Sequence, residues 1–366
     1  MKVICDRGAL VDALNLASGV VVSRTPKPVL QCVKLTAGDA DLAIAATDLE
    51  VALRVATTQV EVQQTGEALV PADKLSQIVR ESVDPTLTLE LDGDALHIRG
   101  EDSHFKVYGQ PASDFPPVPE FDDDADFEIL AGELTQIVQQ TIYATARENS
   151  RYAINGVLME RDGKKLVVVA TDGHRLAVSK GDCQSAKGDN RSAIIPTKAL
   201  QMLLRLLDDP EDTVKVRVAD NQILFACAAG VLASNLVEGN FPPYKDVIPK
   251  DHDRKATLNT DQFASAVRRA ALLTNEESKG VRLAFSDDGL ALTSRAPEMG
   301  EAEIQVEVPK YDGEAIEIGF NPHYILDALK VIRSDKITLD MRAPNKPGLL
   351  STGADFMYVV MPVNLQ

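Results

Sequence analysis

Apolar positions recur along this chain in two alternating periods. Windows with helical spacing are Gly8–Ser18, Ala72–Arg80, Ala131–Thr145, Thr197–Leu207, Thr260–Leu273 and Pro322–Ile332. In the fourth, Leu200, Leu203, Leu204 and Leu207 form one stripe, while Lys198, Gln201 and Arg205 fall opposite. In the third, Leu134, Ile137, Val138, Thr141 and Ile142 point inward, and Gln136, Gln139, Gln140, Tyr143 and Arg147 take the other side. Thr197 and Asn321 suit helix N-caps, and Pro322 suits a first helical position. Between these windows the period falls to two, as in Thr86–Leu91 and Thr213–Val218, with Asp92-Gly93 and Asp162-Gly163 as hairpin turns. Lys165–Ala170 is a continuous apolar run that reads as a buried strand. Thr171-Asp172-Gly173 turns it into a second strand at Leu176–Val178. The class is α+β with antiparallel sheets.

The turn has an echo. Thr47-Asp48 stands 124 positions before Thr171-Asp172, and a weaker third copy is read at Ala291–Ser294. Pro71 and Pro196, in Leu69–Lys74 and Ile194–Lys198, are 125 apart, and Asn321 in Ile318–Pro322 lies 125 further on. Asp114-Phe115-Pro116-Pro117 recurs 126 positions later as Asn240-Phe241-Pro242-Pro243. Nearly equal offsets among independent markers predict three repeated domains of two helices and antiparallel sheet, over 1–119, 120–248 and 249–366. The Pro- and acid-rich segment Phe115–Asp126 reads as an exposed interdomain connector.

Composition narrows this picture. Hydrophobic residues make up 45% and charged residues 25%, with no Trp, so the cores are aliphatic and the chain is an ordinary folded one. No apolar run approaches the roughly 20 residues of a membrane span, and Met1–Asp6 lacks a signal peptide's apolar core. Cys5, Cys32, Cys183 and Cys227 make no metal or redox spacing and read as buried, reduced thiols of a cytoplasmic protein. A net charge of −17 opposes contact with phosphate unless the cations are gathered together. They are gathered on helix faces (Lys198, Arg205, Arg268, Arg269, Lys330 and Arg333), whereas the acids crowd turns and connectors such as Asp122-Asp123-Asp124.

Catalytic chemistry is thin. His174 beside Asp172 lacks a nucleophile or a second carboxylate. No phosphate cradle, zinc-binding helix or nucleophile elbow occurs, and Asp122–Asp124 lacks the spacing of a calcium loop. No enzyme activity, metal or cofactor is expected. The C-terminal run Met357–Gln366 stays apolar almost to its end, so it packs as a final strand or lines an apolar surface.

Five runs then carry a resemblance: ATDGHRLAV, GNFPPYKDVIP, LTNEESKGVRL, IGFNPHYILDAL and YVVMPVNL. Together, in order and over the whole chain, they resemble the bacterial DNA polymerase III β-subunit family, the replicative sliding clamps. The resemblance implies the DNA-clamp fold, with two chains joined head to tail into a ring that encircles duplex DNA without reading sequence. It also implies a non-catalytic role in processivity and a cytoplasmic, nucleoid-associated location. The implied partners, besides a second copy, are the replicative polymerase catalytic subunit, the clamp loader, and repair and translesion polymerases, which bind through short linear peptide motifs.

The peptide cleft that it implies comprises Ile154, Thr171, Gly173, His174, Arg175, Leu176, Pro242, Val247, Asn321, Tyr324, Val360, Met361, Pro362 and Val363. The implied DNA contacts are Arg24, Lys74, Arg80, Arg147, Arg151, Tyr152, Lys198, Arg205, Arg268 and Arg269. The implied dimer contact sets Phe105 and Val107 against Leu272 and Leu273. Asp246, Asn364 and Ala153 depart from the family pattern, making the cleft rim more acidic and removing an aromatic. A peptide-binding scaffold that does not hold DNA is the alternative reading, and a hydrolase built on His174 and Asp172 a third.

Overall fold

The structure, a computed structural model, describes residues 1–146, 153–274, 280–297 and 299–364. Its helices are α1 (Arg7–Ser18), α2 (Ala72–Glu81), α3 (Ala131–Gln139), α4 (Thr197–Leu206), α5 (Thr260–Ala270) and α6 (Pro322–Val331). Two are shorter than their periodicity predicts by more than one residue. α3 gives way to a 3₁₀ turn at Ile142–Ala144, and α5 to one at Ala271–Leu273. Asn321 caps α6, its Oδ1 accepting from the His323 N–H at 3.0 Å, and Pro322 opens the helix.

The chain packs as two compact units. Unit 1 comprises Met1–Thr135, Cys183–Asp189 and Lys198–Leu236, and unit 2 the remainder. Unit 1 holds a nine-stranded antiparallel sheet in the order Ser185–Ala186, Phe127–Leu130, Thr213–Val218, Gln222–Cys227, Gly230–Asn235, Val51–Thr57, Leu42–Thr47, Cys32–Ala37, Gly66–Pro71. Unit 2 holds another: Lys310–Asp312, Arg254–Asn259, Lys336–Met341, Gly348–Ser351, Phe356–Val360, Arg175–Asp182, Lys165–Thr171, Gly156–Asp162, Arg191–Pro196. In each, five strands of one sequence repeat join four of the preceding repeat. The joints pair Ala52 with Ala233 and Leu176 with Val359.

Two shorter sheets remain. Unit 1 has five strands, Val60–Gln64, Lys2–Asp6, Thr86–Asp92, Ala95–Arg99 and His104–Tyr108, and unit 2 has four, Gly300–Val306, Gly289–Ala296, Val281–Ser286 and Ile316–Phe320. The third copy of the turn, read at Ala291–Ser294, falls inside the strand Gly289–Ala296 and is therefore no turn. Strand pairing instead sets Arg295, facing Glu301, in the place held by Thr47, facing Ala52, and Thr171, facing Leu176.

Three further expectations change. Gln140, expected on the polar face, is buried, and its Oε1 accepts from Ser179 Oγ at 2.6 Å. Tyr143 is likewise drawn inward, with its hydroxyl removed from solvent. The segment Phe115–Asp126 is no loose connector. Phe115 packs with Cys32 and Leu69, and Val118 and Phe121 pack on Ala52, Leu224 and Ala233. Glu120 pairs with Arg54, Asp122 with Arg217, and Asp123 with Lys215 at 2.7 Å, so the acids tie it down as a strap. The Arg217 hydrogen bond holds the Asp122 carboxyl below its usual pKa.

Three of the four cysteines are buried as expected, while Cys227 is partly exposed. Burial pushes the Cys5 thiol up to about 12 and Cys32 to about 11. At pH 8 both therefore stay protonated, and iodoacetamide should label them only after denaturant is added.

Candidate functional site

Two turns of identical wiring mark the joints of the nine-stranded sheets. At Thr171–Arg175, Thr171 Oγ1 donates to the Arg175 carbonyl at 2.7 Å and accepts from the Gly173 N–H at 3.2 Å. Asp172 Oδ1 accepts from the N–H groups of His174 and Arg175 at 3.0 and 3.1 Å. At Thr47–Val51 the same four bonds recur, with Thr47 and Asp48 as the side chains. Thr-Asp is thus chosen for its short oxygens, which satisfy a tight turn's backbone. The third position needs a left-handed backbone, φ +87° at Gly173 and φ +79° at Leu49. Leu49 bears strain that a glycine avoids. Leu49→Gly should raise unfolding stability by about 1 kcal/mol, read by denaturant melts, while Gly173→Val should lower it.

In unit 2 the turn is fixed by Arg175. Its Nε donates to Asp172 Oδ2 at 3.0 Å, Nη1 to Asp327 Oδ2 at 2.8 Å and Nη2 to the Tyr143 carbonyl at 2.9 Å. The guanidinium lies 4.5 Å from the Tyr324 ring centroid and 5.5 Å from that of Tyr143. These carboxylates hold the Arg175 charge despite its burial. Tyr358 donates its hydroxyl to the Tyr324 carbonyl at 2.9 Å, and burial raises its own pKa. His174 stacks on Tyr324 with centroids 6.3 Å apart. Its carbonyl accepts from the Met361 N–H at 2.9 Å, and Val363 N–H donates to the Gly319 carbonyl at 2.9 Å.

Of the proposed cleft residues, Thr171, Leu176 and Val360 are buried, Thr171 and Leu176 on the sheet face of Val359 and Val360 on the other. Val247 is 56% exposed and Met361 43%, both large for exposed apolar groups. Ile154, Pro242, Pro362 and Val363 are partly exposed. Ala153 joins the apolar cluster with Leu176, Val359 and Tyr244, so its small side chain is a packing feature. Tyr244 donates to Glu160 Oε2 at 2.8 Å, and burial with that carboxylate raises its pKa. Sequence reading missed Asp327, Tyr143 and Tyr358, which fix Arg175. Their signal is weak: one acid on a helix face, and two tyrosines whose partners lie far away in sequence.

Arg147, Arg151 and Tyr152 lie outside the described residues. The other basic candidates, Arg24, Lys74, Arg80, Lys198, Arg205, Arg268 and Arg269, are all exposed. Several serve the fold too. Lys198 pairs with Asp48 of the first turn, Arg80 Nη2 donates to Asn15 Oδ1 at 3.2 Å, and Arg205 lies against Gly19 at the C-terminus of α1, a favourable place for a cation. Arg269 Nε donates to the Ser265 carbonyl at 3.4 Å. For the dimer, Phe105 is 40% and Leu272 72% exposed, while Val107 is buried and Leu273 partly exposed. Among the described residues no group of three His, Cys, Asp or Glu side chains could hold a metal, and no helix is long and apolar enough to cross a membrane.

Comparison with known proteins places this fold. Residues 1–119, 128–243 and 245–364 match, in turn, the N-terminal, central and C-terminal domains of the DNA polymerase III beta subunit. The beta sliding clamp of Vibrio cholerae is 35% identical and that of Escherichia coli 32%, each aligned over all of both chains. A crystal structure of the Pseudomonas aeruginosa sliding clamp bound to griselimycin superposes with TM-score 0.94 at 34% identity, and the Bacillus subtilis clamp with 0.95 at 26%, both covering 100% of each chain. The fold is therefore of the sliding-clamp class. The chain belongs to the DNA polymerase III β-subunit family of bacterial sliding clamps, non-catalytic processivity factors of replication.

Proposed function

We propose that two copies of this chain join head to tail in a ring around duplex DNA, tethering polymerases and other partners by peptide motifs held at the Arg175 turn. One observation carries the assembly. The two short sheets have the strand numbers, five and four, that fuse at each joint within the chain. His104–Tyr108 has the place of Gly230–Asn235 and Phe356–Val360, and Gly300–Val306 that of Val51–Thr57 and Arg175–Asp182. A second copy would supply the missing half. Such a heterologous contact, closed into a two-chain ring, hides both edges.

The register follows from the hairpins. Lys106 faces His97 as Ala233 faces Leu224, and Glu301 faces Arg295 as Leu176 faces Thr171. Lys106 of one copy would then oppose Glu301 of the other, and His104 would oppose Glu303. Phe105, Val107, Leu272 and Leu273 supply apolar area beside this ladder. The three sequence repeats, 1–119, 120–248 and 249–366, would be the domains of the ring, six in all.

Exposed Arg24, Lys74 and Arg268, with the other helix-borne cations, suit phosphate contacts that position without specifying. Loaded by a clamp loader with ATP onto nicked circular duplex, the protein should stay bound on gel filtration and be lost once the circle is cut. Retention that ignores topology would refute encirclement. For the cleft, the exposed apolar side chains of Val247 and Met361 suit a peptide with apolar anchors. Met361→Asp should weaken binding of a labelled polymerase-derived motif peptide about tenfold or more, measured by anisotropy.

A further inference from the structure

The joint that carries the peptide cleft in unit 2 has a counterpart in unit 1, and the straps that cover the two differ at one position. Both have the same turn wiring, and both end in the same strand bond: Asn235 N–H donates to the Glu50 carbonyl at 2.8 Å, as Met361 N–H does to that of His174. The three positions beneath are Ala52, Leu224 and Ala233 in unit 1, and Leu176, Leu349 and Val359 in unit 2. Two of the three are thus cut back to alanine in unit 1. Phe121 and Val118 pack into the space. On the 126-residue spacing that matches Phe115 with Phe241, Phe121 stands at Val247, which is exposed rather than packed. Val118 stands likewise at Tyr244, which packs on the unit 2 floor, so the two straps differ at one position: Phe121 is packed on its floor where Val247 stands outside.

The strap is also tied on both sides of Phe121. Glu120 pairs with Arg54, Asp122 with Arg217, Asp123 with Lys215, and Asp126 Oδ2 accepts from the Val218 N–H at 2.7 Å. An apolar anchor flanked by acids on a base-lined strand surface is how an extended acidic peptide would bind.

We infer that the unit 1 joint is a second peptide cleft of the same design, held shut by Phe121 of the chain's own strap. The inference rests on reading the unit 2 joint as a peptide cleft. The ligand it would take is an extended peptide with one aromatic anchor next to carboxylates. A tethered occupant has an effective concentration of order millimolar, so no free peptide at micromolar concentration displaces it in the parent protein.

The test uses the full-length protein and a synthetic peptide of residues 116–124, with a photo-reactive benzophenone side chain in place of that of Phe121. After irradiation, cross-linked residues are mapped by mass spectrometry. Phe121→Ala should label within Val51–Thr57 or Gly230–Asn235 at least tenfold more than the parent, with unlabelled peptide competing. Phe121→Trp should stay at the parent level. A folded Phe121→Ala protein labelled no more than the parent overturns the inference. Should that variant aggregate, Phe121→Leu, which shortens the anchor without emptying the hollow, is read the same way with a gain of several-fold. Labelling near Arg175 and Val360, with its loss in Met361→Asp, reports the unit 2 cleft separately. Labelling there alone, with none gained in unit 1, overturns only the present inference. A gain in unit 1 with no effect of Met361→Asp supports it and sinks the unit 2 reading instead.

Discussion

Lys106→Glu should convert the dimer to monomers at micromolar concentration, and adding Glu301→Lys should restore it. The proposed register sets these two side chains directly opposite each other across the chain boundary. A cross-strand ion pair contributes about 0.2–1 kcal/mol, and like charges oppose pairing by a similar amount. Reversal thus costs about 0.4–2 kcal/mol per contact. A two-chain ring has two contacts, and both break on dissociation, giving about 0.8–4 kcal/mol, or roughly 4- to 1,000-fold in dissociation constant. Sedimentation equilibrium over a concentration series reads the shift. Rescue by the double reversal is the diagnostic part, because a folding defect in Lys106→Glu would not be repaired by a second charge on a strand of unit 2. If the double variant is as monomeric as the single one, the register is wrong even if a dimer forms. Leu273→Asp should also yield soluble monomers, through the apolar area beside the ladder.

Arg175→Ala should be the most destabilising single change around the turn. Its side chain is only 10% exposed and serves two carboxylates and a carbonyl. Removing it leaves Asp172 without its cation and Asp327 with the exposed Lys330 alone, so the loss should approach the about 3–5 kcal/mol of a broken buried pair. Lys198→Ala removes the corresponding cation at the first turn, but that lysine is largely exposed, so its loss should cost under about 1 kcal/mol. Urea melts of the two variants distinguish these magnitudes. Equal losses would mean that Arg175 acts through packing alone. Since Arg175 also positions His174 and Tyr324, peptide binding should fall with it at temperatures where the variant is still folded.

Much of this was legible in the sequence because it is local. Helix starts follow from capping and stripe periodicity: five of the six coincide with the pattern's first position, and the sixth, α1, opens one residue early, at Arg7 rather than Gly8. The Thr-Asp turn is legible for the same reason: its oxygens bond to groups within four residues. Gln140 and Tyr143 were misplaced because a polar side chain on a helix says nothing about a distant partner, here Ser179 and Arg175 respectively. The strap's attachments are not legible because Pro and Asp mark a non-regular segment equally well whether it hangs free or is tied to a sheet; only Arg54, Lys215 and Arg217, far away in sequence, decide. The false third turn at Ala291–Ser294 came from matching letters where strand register, which sets Arg295 opposite Glu301, is the safer guide. Alternation announces a strand but not its neighbour, and so the sequence repeats gave no sign that the nine-stranded sheets would cross their boundaries.

That crossing bears on how the chain is made. Val51 waits for Ser234, its partner in the unit 1 sheet, and Arg175 waits for Val360 in unit 2. At about 5–20 residues per second, the ribosome needs roughly 10–40 s after the first strand of each pair emerges before the second exists. During that interval Val51–Thr57, paired only with Leu42–Thr47 on one side, is a nascent edge open to any other strand in reach. The Thr47–Val51 turn and the short hairpins can form at once, since each closes within a few residues. Birth of this protein is therefore a sequence of half-finished sheets, each completed only by the repeat that follows it.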